Sequence, residues 1–372
     1  MKITDVKSAV LSIPLKEATA FATSVLTERE YLITWIDTDD GIQGVGFAVG
    51  ARANGEGHIL HTAVQHNLKN LLIGQNPFAV ERLWESMFES TLLIGRRGVV
   101  LKAISALDIA LWDIISKAAD RPLYYLLGGY RDKVPAYGSG GYYYDDDDEL
   151  KRLSEEMERF LNKGFTSVKI KVGRLSPMED AERVRIAREV LGPNVKLALD
   201  ANNAWRDAAS AINAARKFEK YDIWWLEEPV WPDNIAASAQ IAAVLDMPVA
   251  TGEIEATRWG FRMIIEEQAA DIIQPDATVV GGVTEWMRIA HMAGCWDIPV
   301  APHWNANIHA HLLAAIPNGL TVEYFLLEED VFNFEAIVRE PLHIENGFIS
   351  VPQRPGHGID FDEAAVKRYQ TE

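Results

Sequence analysis

The chain has 372 residues, a formal net charge of −18, an apolar fraction of 48% and a charged fraction of 24%. The length suits one large barrel with a smaller companion domain, the negative charge opposes nucleic acid, and no run reaches the ~18 apolar residues of a membrane helix. A single cysteine, Cys295, excludes an internal disulfide framework and fits a reducing, cytoplasmic setting, and the first residues show no signal-peptide pattern.

Residues 1–50 read as an antiparallel meander. Val6–Pro14 and Tyr31–Asp37 alternate apolar and polar residues, and Asp40-Gly41 is a turn signal before Ile42–Val49. Lys16–Glu30, between the first two strands, is polar and irregular and reads as a long mobile loop. From about Gly57 to Leu127 the apolar positions recur three and four apart, as in LKAISALDIALWDIISKAA, and Gly128-Gly129 ends the helical stretch. Residues 1–127 therefore form an α+β domain.

Residues 128–328 repeat a shorter unit. Strands are expected near 134–140, 165–171, 195–200, 223–227, 248–253, 271–274, 298–303 and 321–324. Helices are expected over 148–163, 179–190, 207–219, 233–245, 257–268, 281–294 and 306–316. Eight strands with seven intervening helices make an α/β fold, a modified TIM barrel of (β/α)7β type. After Glu323 the helical rhythm fails, and residues 329–372 read as strands and turns that pack back on the first domain to complete a cap.

Seven polar residues punctuate the barrel: Lys171, Asp200, Glu227, Glu253, Asp276, His303 and Glu323, spaced 20 to 29 residues apart. Each ends, or nearly ends, an apolar run such as SVKIK, VKLALD or IWWLE, which places it at the C-terminal rim where barrel enzymes keep their chemistry. A charge there is costly unless something uses it. Asp200, Glu227 and Glu253 lie on successive strand ends and form a hard oxygen site suited to one Mg²⁺. Singly, each reads as well as the cap of the following helix; three in register favour the metal.

Lys169 and Lys171 lie two apart on one strand and share a face. Beside a cation they are expected to shift toward neutrality, which makes a lysine a competent base. Asp276 and His303 sit on adjacent strand ends, where the carboxylate fixes the imidazole tautomer and raises its basicity. Glu323 is able to hydrogen-bond a substrate carboxylate only when protonated or through a shared proton.

The motifs KIKVG (169–173), LDANNAW (199–205), WLEEP (225–229), TGE (251–253), QPDATVVGGVTEW (274–286), PHWN (302–305) and VEYF (322–325) together resemble the enolase superfamily, specifically its mandelate racemase subgroup. The resemblance covers essentially the whole chain. It implies that Asp200, Glu227 and Glu253 hold Mg²⁺, that Lys171 is the base on one face, and that Lys169 stabilises the enolate. It further implies that His303, paired with Asp276, is the acid/base on the opposite face, that Glu323 bonds the substrate carboxylate, and that Asn202 contacts substrate oxygens. Glu228, beside the metal, has no assigned role.

The shared step is removal of the proton α to a carboxylate, with stabilising charge already in place. Dehydration of an acid sugar, an aldonate or aldarate, to a 2-keto-3-deoxy acid is the favoured outcome. Racemisation or epimerisation, and cycloisomerisation of a sugar lactone, use the same enolate; an inactive barrel acting as a binding protein is a reading of another class. The cap is expected to set specificity through Thr19, Thr23, Ser24 and Arg52. Tyr137, Ser139 and Trp304 are further candidates at the rim. The stretch LKEATAFATSVL is not greasy, which opposes an aromatic substrate. Arg96-Arg97 read equally as a structural interdomain pair, and Asp145–Glu149 as a solvated helix start. A homo-oligomer is expected.

Overall fold

The structure, a computed structural model, describes residues 1–50, 55–145 and 148–371. Strands β1 (Ile3–Phe21), β2 (Ser24–Thr38) and β3 (Gln43–Gly50) form an antiparallel sheet in that order. The stretch 16–30 is not a loop. β1 and β2 run on into a two-stranded arm, paired Thr19 with Leu26, Ala20 with Val25 and Phe21 with Ser24. Polar residues on the arm's outer positions mimic a loop in sequence, while Ala20 and Leu26 are buried. Its end is fastened to the barrel by reciprocal backbone hydrogen bonds between Ala20 and Tyr143, at 2.9 and 2.8 Å.

The long helix Val99–Ala118 lies across β3. Close approach is possible because Gly44 and Gly46, two apart on one strand face, carry no side chain. A Cβ on Gly46 would sit 1.9 Å from the carbonyl oxygen of Ala106. The helix buries its apolar residues, yet Lys102, Ser105, Asp108 and Trp112 recur on one face at helical spacing. Three of them bond the barrel or its connections. Ser105 Oγ accepts from Gly281 N at 2.9 Å, Asp108 accepts from Thr284 N and Oγ1, and Trp112 Nε1 donates to Thr284 Oγ1 at 2.8 Å.

The barrel is a parallel ring of β4 (Lys133–Gly140), β5 (Ser167–Lys171), β6 (Lys196–Asp200), β7 (Ile223–Glu227), β8 (Val249–Thr251), β9 (Ile272–Ile273) and β10 (Val322–Tyr324). β10 pairs with β4, and the remaining strands follow in sequence order. The strand expected over 298–303 contracts to Val300, which bridges Ile273 on one side and Gly319 on the other. Pro299 and Pro302 flank it and lack the N–H groups a longer ladder needs. Helices expected between the strands are present, from Glu149–Asn162 to Ala306–Ala315.

The last segment forms a hairpin, β11 (Ile344–Glu345) and β12 (Phe348–Ser350), that adds antiparallel to the start of β4. Beyond it the chain reaches the cap: His357 N donates to Asp113 Oδ1 at 3.1 Å and Thr371 N to Val10 O at 2.8 Å. The architecture is thus an α/β modified barrel under an α+β cap.

Candidate active site

The barrel positions its polar residues by strand parity. In β5, Val168 and Ile170 enter the apolar layer outside the barrel, so Lys169 and Lys171 point inward. Lys171 Nζ lies 2.5 Å from Asp200 Oδ2. Lys169 Nζ lies 2.5 Å from Glu227 Oε1, 3.0 Å from Glu323 Oε1 and 3.6 Å from Asp200 Oδ2. Both lysines are almost completely buried.

Asp200, Glu227 and Glu253 each offer an oxygen within 4.8 Å of the others. Glu253 Oε2 is buried without a hydrogen-bond partner and lies 3.6 Å from His303 Nε2. Burial, together with Asp200, Glu253 and Glu323, pushes Glu227 well above the usual carboxylate range despite Lys169. Two ammonium groups thus face more carboxylate charge than they neutralise. An all-oxygen donor set with that excess fits a hard divalent cation.

The expected shift of the lysines toward neutrality does not occur with the protein's own groups alone. Burial favours the neutral form, but Asp200 outweighs it at Lys171, and Glu227 and Glu323 do so at Lys169. Both are held charged.

His303 faces them across the mouth, its Nδ1 3.0 Å from Asp276 Oδ2. Asp276 Oδ1 is fixed by the N–H and hydroxyl of Thr278, both at 2.8 Å. Burial opposes protonation of His303, but Glu253, the bond to Asp276 and Glu323 raise it to about 9. His309, behind the dyad, accepts from Ala277 N at 2.9 Å, and burial lowers it to about 4. Glu323 accepts from Trp304 N at 2.6 Å. Burial would raise it, but Lys169, His303 and Lys171 hold it ionised, as an acceptor. Glu228 turns away from this cluster. Its Oε1 accepts from Thr251 Oγ1 at 2.5 Å and Gly252 N at 2.8 Å, tying β7 to β8.

The backbone turns sharply at these strand ends. Asn202, Asn203, Glu228 and Trp304 all have positive φ, at 41°, 63°, 43° and 67°. For a bulky indole such as Trp304 this is strained, and it is held by Glu323 and by the Arg29 guanidinium 4.2 Å from the ring centroid.

A cavity of about 490 Å³ lies between this rim and the cap. Lys171, Glu253, Asp276, His303 and Glu323 line its floor, and Asn202 and Trp304 line it as expected. Thr23 reaches it from the arm, whereas Thr19 and Ser24 do not. Tyr137 and Ser139 do not line it either. Tyr137 is buried in the barrel interior, edge-on to Trp225, although its position on β4 pairs with Glu323. Arg52 and part of Asp145–Glu149 fall outside the described residues. Arg97 pairs with Asp233 at 3.2 Å and with Glu255 at 3.5 Å, as a link between cap and barrel.

The cap wall is greasier than its sequence suggested, since Phe21, Leu26, Val49, Leu60 and Val99 face the cavity. Sequence reasoning also missed two cations there, Arg29 and Lys102. The signal for Lys102 was available: it begins the polar stripe of an otherwise apolar helix.

Comparison with known proteins places this geometry. The arabinonate dehydratase of Saccharolobus solfataricus is 38% identical over 95% of this chain and 95% of its own. The L-talarate/galactarate dehydratase of Salmonella typhimurium is 35% identical over 91% of this chain and 82% of its own. Its crystal structure liganded with Mg and L-lyxarohydroxamate has a TM-score of 0.92 at 32% identity, covering 100% of this chain and 93% of that one. A 3,6-anhydro-alpha-L-galactonate cycloisomerase of Streptomyces coelicolor is 32% identical over 96% of both chains. Residues 3–128 match the mandelate racemase / muconate lactonizing enzyme N-terminal domain and residues 152–365 the enolase C-terminal domain-like family. The chain therefore belongs to the mandelate racemase / muconate lactonizing enzyme family of the enolase superfamily.

Proposed function

We propose that this protein is a Mg²⁺-dependent acid sugar dehydratase, a hydro-lyase that forms a 2-keto-3-deoxy acid. The observation that carries the reading is the three-carboxylate cluster set between Lys171 on one side and the Asp276–His303 dyad on the other, at the floor of the cavity beneath the cap. The names of the relatives, two of them sugar acid dehydratases, support the same class.

Asp200, Glu227 and Glu253 would hold the cation, which would supply positive charge beside the substrate carboxylate and favour the neutral form of the nearby Lys171. As the neutral amine, Lys171 Nζ removes the α-proton, and the C–H bond pair passes to the substrate carboxylate as an enediolate. Lys169, fixed by Glu227 and Glu323, stabilises that charge without moving. His303 enters protonated and gives its proton to the β-hydroxyl as the C–O bond breaks, so water leaves. The resulting enol tautomerises to the 2-keto acid. Their placement supports two separate acid/base groups, since β5 and the His303 strand stand three strands apart around the ring.

The test is a screen of aldonic and aldaric acids with Mg²⁺, following 2-keto acid formation and deuterium uptake from solvent. Lys171→Ala should remove α-proton exchange on its face. His303→Asn should abolish dehydration of the same substrates while leaving exchange measurable. Absence of both reactions with every acid sugar would leave only a binding role for the barrel.

A further inference from the structure

The cavity's reactive end is rich in carboxylates, but its cap end carries two cations that the protein does not neutralise. Arg29, on β2, is 5% exposed. Its Nε donates to Val331 O at 2.7 Å and its plane covers Trp304, which fixes the guanidinium. Among the described residues its two terminal nitrogens have no hydrogen-bond acceptor, and neither is sealed from the cavity it lines. Among the described residues no carboxylate lies within ion-pair distance of Arg29. A buried guanidinium in that state carries a large desolvation cost.

Lys102 approaches from the neighbouring element. Its Nζ donates to Val49 O at 3.1 Å, on β3, where Val49 pairs with Tyr31, two residues from Arg29. An ammonium has three protons, so donors remain. Lys102 forms no ion pair among the described residues. It also sits in the first turn of Val99–Ala118, where the helix dipole disfavours a cation. Burial pushes its ammonium down, and Glu56 and Asp276 only partly restore it. Two desolvated cations, one held rigidly and one against the dipole, are stabilised together by one anion between them. The remaining cap lining is apolar at Phe21, Leu26, Leu60 and Val99 and carries one carboxylate, Glu56, which raises Lys102 without forming an ion pair with it or with Arg29.

We propose that Arg29 and Lys102 form a cradle for a second carboxylate, at the far end of the substrate chain, so that the enzyme selects aldarates over aldonates. This rests on the acid sugar reading above and narrows its substrate class. It departs from a plain transfer from the arabinonate dehydratase relative.

Two experiments test it. The first compares kcat/KM for aldarates and aldonates of equal length and matching stereochemistry. Wild type should favour the diacid, and Lys102→Gln should cut the diacid-to-monoacid ratio about tenfold or more, mainly through KM, the scale of one lost charge-assisted hydrogen bond. Lys102→Arg should recover most of it, which a merely structural lysine would not require. A wild-type preference for aldonates, or an unchanged ratio in Lys102→Gln, overturns the cradle. The second measures binding of the unreactive diacids glutarate and adipate against pentanoate and hexanoate by calorimetry with Mg²⁺ present. Tighter diacid binding that Lys102→Gln abolishes supports the cradle even where no acid sugar turns over, an outcome that would sink dehydration alone. Equal binding of diacid and monoacid overturns the cradle whether or not dehydration is observed.

Discussion

His303 is held by carboxylates from two strands, Asp276 at Nδ1 and Glu253 near Nε2. Their combined field, with that of Glu323, overcomes burial and keeps the imidazole protonated to about pH 9. Dehydration needs that proton, so its rate should fall as pH rises through the histidine's pKa. Asp276→Asn removes one of the raising charges and leaves an amide of the same shape. The alkaline limb of the dehydration profile should then move to lower pH, by about one unit, while exchange driven by Lys171 keeps its own profile. A limb that stays in place in Asp276→Asn would mean another group sets it. The proposed catalytic residues were legible because each closes, or nearly closes, a short apolar run, where a buried charge has no cheap explanation. Arg29 was not, because it falls within 16–30, which reads as a polar loop. Its burial depends on Trp304 and Val331, some 300 residues away in sequence.

β3 and the helix Val99–Ala118 show why an element can be recognised before its contacts are. The alternation of GVGFAVG announces a strand and the three-four spacing of ISALDIALWDII a helix, but neither says that the two touch. The glycines are the trace of that contact. A methyl on Gly46 would lie 1.9 Å from the Ala106 carbonyl oxygen and 2.8 Å from Ala110 N, both backbone atoms that no rotamer change can move. Gly46→Ala should therefore cost about 3 kcal/mol or more, read as a lower urea midpoint, and should weaken diacid binding by shifting Lys102. Gly74→Ala makes a useful contrast, since nothing lies within 4 Å of its Cβ and only its φ of 78° is strained. Equal losses in the two variants would show that backbone strain, not the helix contact, sets the cost. The β1–β2 arm was misread for a related reason: a two-stranded ribbon buries only part of one face, so its pattern is half that of a sheet. The strand at Val300 was overextended because apolar residues in DIPVAPH outnumber the prolines that truncate it.

At the scale of the whole molecule, a net charge of −18 makes every cation stabilising to some degree, through screening of self-repulsion. A specific Mg²⁺ site must be separated from that background. Asp200, Glu227 and Glu253 converge only when β6, β7 and β8 are in ring register, so the site exists in the folded barrel alone. A ligand of the folded state stabilises by mass action, about 2.7 kcal/mol at one hundred times its Kd. Mg²⁺ should therefore raise the thermal midpoint by several degrees over NaCl of equal ionic strength. Glu253→Gln should abolish that increment. The same variant should unfold at a higher temperature than wild type when no divalent ion is present, because it deletes one charge from a buried cluster that the two lysines do not balance. Both signs are needed. A Mg²⁺-specific increment that survives in Glu253→Gln would move the cation elsewhere, and a lower midpoint without metal would mean that Glu253 holds the barrel mouth together through contacts of its own.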